Sequence, residues 1–144
     1  MPLTSLSAIP LTSLTAIPLT SLTVIETAIR AAWSADTCDP VDLPDWTPDN
    51  PSRGQCGVTA LALHDLLGGQ LLLADVIRSD GSRQGVHWWN KLSGGIEVDL
   101  TRTQFGPDEH VQTPRAVDRP PGEPARLRPQ YRLLRSRVQA ALDG

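Results

Sequence analysis

Proline placement decides what this chain can build. Its 13 prolines fall in clusters, and a proline inside a helix or a central strand removes a backbone donor and crowds the preceding turn. Pro2, Pro10 and Pro18 open three near-identical octapeptides, PLTSLSAI, PLTSLTAI and PLTSLTVI. Pro40, Pro44, Pro48 and Pro51 interrupt residues 34–54, and Pro107, Pro114, Pro120, Pro121 and Pro124 interrupt residues 103–127. Regular elements are left to the intervals between these clusters and to a last stretch that Pro129 can open from a first-turn position.

The octapeptide period matches neither a heptad nor a common solenoid unit, and a few such units cannot bury their own leucines. Residues 1–19 are therefore expected to form a poorly ordered extension, with a partner-binding tail as the alternative. Residues 20–144 are expected to form a single domain.

Within that domain, Thr23 and Glu26 have capping-box spacing. Val24, Ile25, Ala28, Ile29, Ala32 and Trp33 then recur at helical spacing, so a helix is expected over Thr23–Trp33. The prolines of residues 34–54 rule out a helix there. A second helix should start at Gln55 or Cys56, bury Val58, Leu61, Ala62 and Leu66, and stop at Gly68-Gly69. Three strands follow, Leu71–Arg78, Gln84–Lys91 and Ile96–Arg102, joined by turns at Ser79–Ser82 and Leu92–Gly95. Residues 103–127 read as a surface wrap, and Pro129–Asp143 as a closing helix. The expected class is α+β: a short antiparallel sheet of three or more strands packed against a central cysteine-bearing helix, with flanking N- and C-terminal helices.

A net charge of −3 argues for neither nucleic acid nor a membrane surface as partner. No apolar run approaches the ~18 residues of a membrane helix, and the N-terminus lacks the positive region of a signal peptide. Two cysteines, Cys38 and Cys56, are not a disulfide framework. A reducing cytoplasm is the expected location. Charge is unevenly placed: five aspartates and no Lys or Arg over residues 36–49, seven arginines over residues 115–137. These runs are either two solvated faces or docking surfaces.

The chemistry centres on Arg53-Gly54-Gln55-Cys56-Gly57. Helix-start amides stabilise a thiolate and can draw a cysteine pKa from about 8.5 toward roughly 3.5–7.5, which makes Cys56 a candidate nucleophile. If the last hairpin turns around Ser93, Trp89 pairs with Glu97 and His87 with Asp99. Directly opposed Cβ atoms lie about 4.5–5.5 Å apart, so His87 would act as base and Asp99 would hold it. Asn90 is the second candidate for that holding role, but strand alternation points it to the other face. Gln55 and the Cys56 N–H are candidates to stabilise an oxyanion. Trp46, Trp89 and Asn50 are candidate substrate contacts, with Trp46 alternatively pinning its loop to the core. His64 reads as a surface or satisfied histidine. No CxxC or HxxxH spacing is present, so neither a metal nor another cofactor is expected.

Gly54-Gln55-Cys56 heading a helix, His87-Trp88-Trp89, and Glu97-Val98-Asp99-Leu100-Thr101 together resemble the transglutaminase-like branch of the papain-type cysteine fold, with Leu100 where proline is usual. With Trp33-Ser34-Ala35-Asp36-Thr37, Asn50-Pro51, Asn90 and Gln104-Phe105, they are similar to a small bacterial YunG-like family over roughly residues 22–140. The latter resemblance implies no particular reaction. The former implies cysteine-dependent acyl transfer or amide or peptide hydrolysis through a thioester, on an acyl or peptide substrate. The alternative is a non-catalytic binding or interaction module on the same fold.

Overall fold

In a computed structural model, which describes residues 19–144, the first helix, α1, runs over Leu19–Ala32. The octapeptides up to Pro18, and the expectation of a poorly ordered extension there, lie outside the described residues. Thr23 is not a cap. It sits inside the helix, where its carbonyl accepts the Thr27 hydroxyl at 2.9 Å. The extra turn brings Leu22 against the core beside the fully buried Ile25 and Ile29, so packing extends the helix beyond its local capping signal.

Residues 34–54 also depart from expectation. They contain two 3-10 segments, Ala35–Thr37 and Pro40–Asp45. Proline excludes an α-helix but fits the start of a short i→i+3 turn, where its missing N–H has no partner to lose. Ser34 caps the first segment through the Asp36 N–H, and the Thr37 hydroxyl accepts the Ser34 N–H in return. Asp39 caps the second through the Val41 N–H.

The second helix, α2 (Cys56–Leu67), ends at Gly68 with φ 71°. Strands β1 (Gln70–Arg78), β2 (Arg83–Lys91) and β3 (Glu97–Val98) follow. The 103–127 segment is more ordered than a plain wrap. It contributes β4 (Glu109–Val111) and β5 (Arg115–Val117), with Pro107 and Pro114 just outside them. Helix α3 spans Arg128–Asp143. The sheet is antiparallel in the order β3-β2-β1, and the far edge of β1 pairs with β5 over its first half and β4 over its second. The expected α+β class holds, with α2 on the sheet and α1 and α3 flanking it.

The main core lies between the three helices and one end of the sheet, built from Ile25, Ile29, Val58, Leu63, Leu67, Val98, Leu100, Leu134 and Val138. Asn90 donates to the Ala60 carbonyl at 2.9 Å, so the even-numbered residues of β2 face α2. By strand alternation, His87 and Trp89 face the other way, where Trp89 packs with Leu72 and Ala74 in a smaller cluster.

The hairpin register differs from expectation. The Leu92 N–H bonds the Ile96 carbonyl at 2.7 Å, and Lys91 pairs with Glu97 and Asn90 with Val98. The loop is Ser93-Gly94-Gly95, with Gly94 at φ 88° and Gly95 at φ 87°. Two consecutive left-handed positions demand the two glycines, which moves the centre of the turn from Ser93 to Gly94 and the pairing by two residues. That even shift preserves which side chains share a face. β3 is also far shorter than the expected Ile96–Arg102: it ends at Val98, and the chain re-forms as a 3-10 turn over Arg102–Gln104.

The two charge runs answer one another. Arg126 makes a two-pronged contact with Asp39 at 2.6 and 2.7 Å. Arg137 bonds the Ala32 carbonyl and the Ser34 hydroxyl and lies 4.0 Å from Asp36. No helix among the described residues is long and apolar enough to cross a membrane.

Candidate active site

Cys56 and Asp99 reach the same region because two loops are fastened together. The Gly54 N–H donates to the Gln104 side-chain oxygen at 3.2 Å, Asn50 donates to the Gln104 carbonyl at 3.1 Å, and the Ser52 and Thr103 hydroxyls lie 3.2 Å apart. The segment leading into α2 is thus bound to the segment leaving β3. Gly54 has φ 72°, and a Cβ there would sit 2.4 Å from the Cys38 sulfur. Only glycine fits this approach to the helix.

Gln55 is fully buried. Its side-chain oxygen accepts from Thr37 at 2.8 Å and its amide donates to the Ser34 carbonyl at 2.9 Å. It fixes the first turn of α2 to the capped 3-10 segment rather than presenting its amide at the cleft surface.

Cys56 is half-buried at that first turn. Its thiol is pushed up to about 11, chiefly by burial, with Asp42, Asp39 and Asp99 adding to the shift. The Trp88 backbone beside it opposes the shift. The ladder explains why the N–H there is free. Asn90 and Leu92 direct their N–H groups at β3, and Trp88 has the same orientation two residues earlier. β3 stops at Val98, so the Trp88 N–H opens onto an unpaired edge, in the cleft that Cys56 also lines. The expected lowering by the helix start does not occur, because burial and nearby carboxylates outweigh it. Cys38 is structural: it is buried, its sulfur lies 3.3 Å from the Arg53 and Asp39 carbonyl oxygens that share its one S–H, and its thiol is pushed up to about 12.

His87 is completely buried. Its Nε2 lies 2.9 Å from both Asp99 oxygens. A carboxylate only accepts, so Nε2 carries the proton and Nδ1 of the neutral ring presents a lone pair. Nδ1 is buried with no hydrogen-bond partner. Trp89 stacks on the ring with centroids 5.2 Å apart, and Phe105 meets it edge-on at 4.9 Å. Arg102 bonds Asp99 at 2.7 Å and lies 4.9 Å over the Trp89 ring. Burial works against ionisation of Asp99, but His87 and Arg102 outweigh it and hold the carboxyl below its usual range.

The structure brings His87 and Asp99 together and sets Cys56 in one cleft with Trp88, the residue after His87. No hydrogen bond joins the Cys56 sulfur to His87; by strand alternation, the two approach the open edge of β2 from opposite faces. The other candidates lie elsewhere. Trp46 donates to the Pro51 carbonyl at 3.1 Å and pins its own loop. Trp89 is buried and bonds Glu97 at 2.7 Å. Asn50 is engaged with Gln104. The residues walling the Cys56 cleft include Asp39, Asp42, Val86, Trp88, Arg126 and Leu127, around a space of about 280 Å³. Sequence reasoning missed Arg102, since a strand running to residue 102 would place it on the face opposite Asp99. Among the described residues, no group of three or more His, Cys, Asp or Glu side chains could hold a metal ion.

A family model described as "YunG protein" matches residues 21–143. The "Uncharacterized protein YunG" of Bacillus subtilis (strain 168) is 39% identical over 70 residues, covering 48% of this chain and 55% of that protein. The match thus spans about half the length of that relative. No solved structure matches the chain. With the family model covering nearly the whole described domain, the chain belongs to the YunG protein family.

Proposed function

We propose that the protein is a cysteine-dependent acyl-transfer or amide-hydrolysing enzyme that works through a thioester on Cys56. The observation that carries this reading is the division of labour on His87: Nε2 is fixed by Asp99, while Nδ1 is buried and unpartnered, and the next residue along the strand, Trp88, lines the Cys56 cleft. A buried nitrogen without a partner is costly, and a catalytic role is one reason a protein keeps such a group. The resemblance to the transglutaminase-like, papain-type cysteine fold supports the same reading.

In this mechanism the thiol rests protonated, consistent with its raised pKa. As an acyl donor enters, His87 Nδ1 takes the proton and the sulfur attacks the carbonyl carbon. The first-turn N–H groups of α2, which have no intrahelical acceptor, face the developing oxyanion. The C–N bond breaks, and the proton passes from His87 to the departing amine. Water, or a second amine, then attacks the thioester, gives its proton to His87 and releases the thiol. Asp99 stabilises the imidazolium throughout.

The test is acylation by p-nitrophenyl acetate at neutral pH, with the adduct located by mass spectrometry. Cys56 should carry the acetyl group, and His87→Ala should slow its formation by about 10²-fold or more, the usual contribution of a general base. Equal rates in the two proteins would overturn the mechanism and leave the non-catalytic binding module as the reading.

A further inference from the structure

Beside the Cys56 cleft lies a second, larger cavity of about 570 Å³, within the range of small-molecule sites. It shares Gly57, Trp88, Arg126 and Leu127 with the cleft, so a group attached to the sulfur has a direct way in. Its inner wall is Ala60, Leu61, Leu71 and Trp88, and its outer wall is the strap of residues 118–127, led by Pro120 and Pro121. We infer that this cavity is the acyl subsite of the Cys56 centre and that its occupant is an aliphatic acyl chain.

Two observations select that occupant. The first is charge. Arg119 is bound to Asp65 at 2.5 Å, Glu123 is paired with Arg132 at 2.6 Å, and Arg126 is paired with Asp39. These three strap charges are paired and the inner wall carries none, which leaves the exposed Asp118 at the start of the strap as the one unpaired charge among the lining residues. The second is the strap's attachment. It is fastened at both ends, through Arg119 to Asp65 and Tyr131 and through Arg126 to Asp39. A polypeptide cannot lie across the mouth of a cavity bridged in this way, whereas a single chain can enter end-on past Cys56. Leu127 stands at the junction. It is the one non-glycine residue at positive φ among those described (69°), and a Cβ on Gly57 would lie 3.3 Å from its side chain.

The inference rests on Cys56 as the acyl acceptor, so the experiment separates the two. The first arm uses the full chain carrying Cys56→Ala and titrates it with a terminally brominated octanoate, reading quenching of tryptophan fluorescence. Saturable quenching that disappears on adding Trp88→Phe is expected, since Trp33, Trp46 and Trp89 do not line the cavity. Leu61→Trp, which fills the space, should weaken the titration by about tenfold or more, as expected for losing several buried methylenes. Absence of quenching, or quenching that survives Trp88→Phe, overturns the inference whatever the chemistry at Cys56.

The second arm uses the unmodified protein with p-nitrophenyl octanoate and acetate. In each case the sulfur–carbonyl bond forms, the ester C–O bond breaks, p-nitrophenolate leaves and the thiol proton passes to His87. The octanoyl ester should acylate Cys56 at least about tenfold faster after correction for the esters' reactivity toward free cysteine. Equal corrected rates overturn the acyl subsite but leave the nucleophile standing. Quenching in the first arm with no acylation by either ester keeps the aliphatic-chain cavity and removes the enzyme reading.

Discussion

His87 Nε2 meets both oxygens of Asp99 at 2.9 Å although the two residues are not paired in the sheet ladder. The ladder between β2 and β3 ends at Asn90 and Val98, and Asp99 reaches His87 diagonally from the point where the strand leaves the sheet. Arg102, curling back from the next turn, holds the carboxylate from the other side. Asp99→Asn keeps the shape but replaces an acceptor-only group with one that can bind the ring in either orientation. It should slow acetylation of Cys56 by at least about tenfold and lower stability by about 1.5–3 kcal/mol, the range for a hydrogen bond to a charged group. The pH sign follows from the depressed carboxyl. Its stabilisation is complete above the ordinary carboxylate pKa and is lost as pH falls through the lower folded value. Chemical denaturation from pH 7 down to pH 2 should therefore show a shallower acid loss in Asp99→Asn than in the wild type.

The thiols predict an alkaline effect of opposite sense. Burial, the largest cause at both, raises Cys38 to about 12 and Cys56 to about 11, from an ordinary value of 9.0. In the unfolded chain both ionise near the ordinary value, whereas in the folded chain both stay protonated. Between pH 9 and 11 the unfolded state binds fewer protons, so stability falls as pH rises, by up to about 1.4 kcal/mol per pH unit per thiol. Urea denaturation midpoints across that range should fall, and Cys38→Ala should remove much of the slope. In the same window, alkylation of Cys56 by iodoacetamide should keep accelerating to about pH 11, with Cys38 slower at every pH. A plateau for Cys56 near pH 8.5 would contradict the environment described for it.

Gly54 sets the approach of the chain to Cys56, and its replacement should be felt twice. Alanine there must adopt φ 72° and place its Cβ 2.4 Å from the Cys38 sulfur and 2.8 Å from the Asp42 Cβ. Left-handed strain on a non-glycine residue costs about 1–3 kcal/mol, and the overlap adds to it. Gly54→Ala should lower the thermal midpoint by several degrees and should reduce Cys56 acylation, because the helix start moves with it. Adding Cys38→Ala should recover the part of the loss due to the sulfur contact and leave the part due to φ. A double-mutant cycle showing no coupling would place the contact elsewhere.

The helix at Cys56, the α+β class and the partnership of His87 with Asp99 were legible in the sequence because each rests on a local period: 3.6 along α2, and alternation along β2. The partnership survived an incorrect register because the error was an even number of residues, set by where two consecutive glycines place the turn. What was illegible depended on contacts between distant segments. Gln104 joins Gly54 across 50 positions, and nothing in its neighbours announces that. The lowered thiol pKa expected for Cys56 was also a local inference, from the helix start alone. It failed because the burying walls and the carboxylates of Asp39 and Asp42 come from a loop whose return over the helix start has no sequence period. Trp46, Trp89 and Asn50 look like exposed contacts when read singly, yet each has a partner inside the protein.

Arg126 and Asp39 supply the last prediction, because their pair closes the strap over both cavities with its arginine end largely in water. The Arg126 side chain is 61% exposed, so despite two short hydrogen bonds the pair should contribute only about 0–1 kcal/mol to stability. Its effect on access should be larger, since the strap is otherwise held by Arg119 at its far end and by the exposed Glu123–Arg132 pair in its middle. Arg126→Ala should leave the urea midpoint nearly unchanged while raising the rate at which a small neutral electrophile such as acrylamide reaches Cys56 by several-fold at pH 9. Raising the ionic strength should reproduce the same acceleration in the wild type, because an exposed pair is screened, and should have no further effect on Arg126→Ala. If the variant and the wild type react at equal rates at every salt concentration, the strap does not limit entry and Cys56 is reached by another path. If the variant reacts more slowly, Arg126 acts on the thiol through its charge: removing a cation beside Asp39 would strengthen the carboxylate field that already raises the Cys56 pKa.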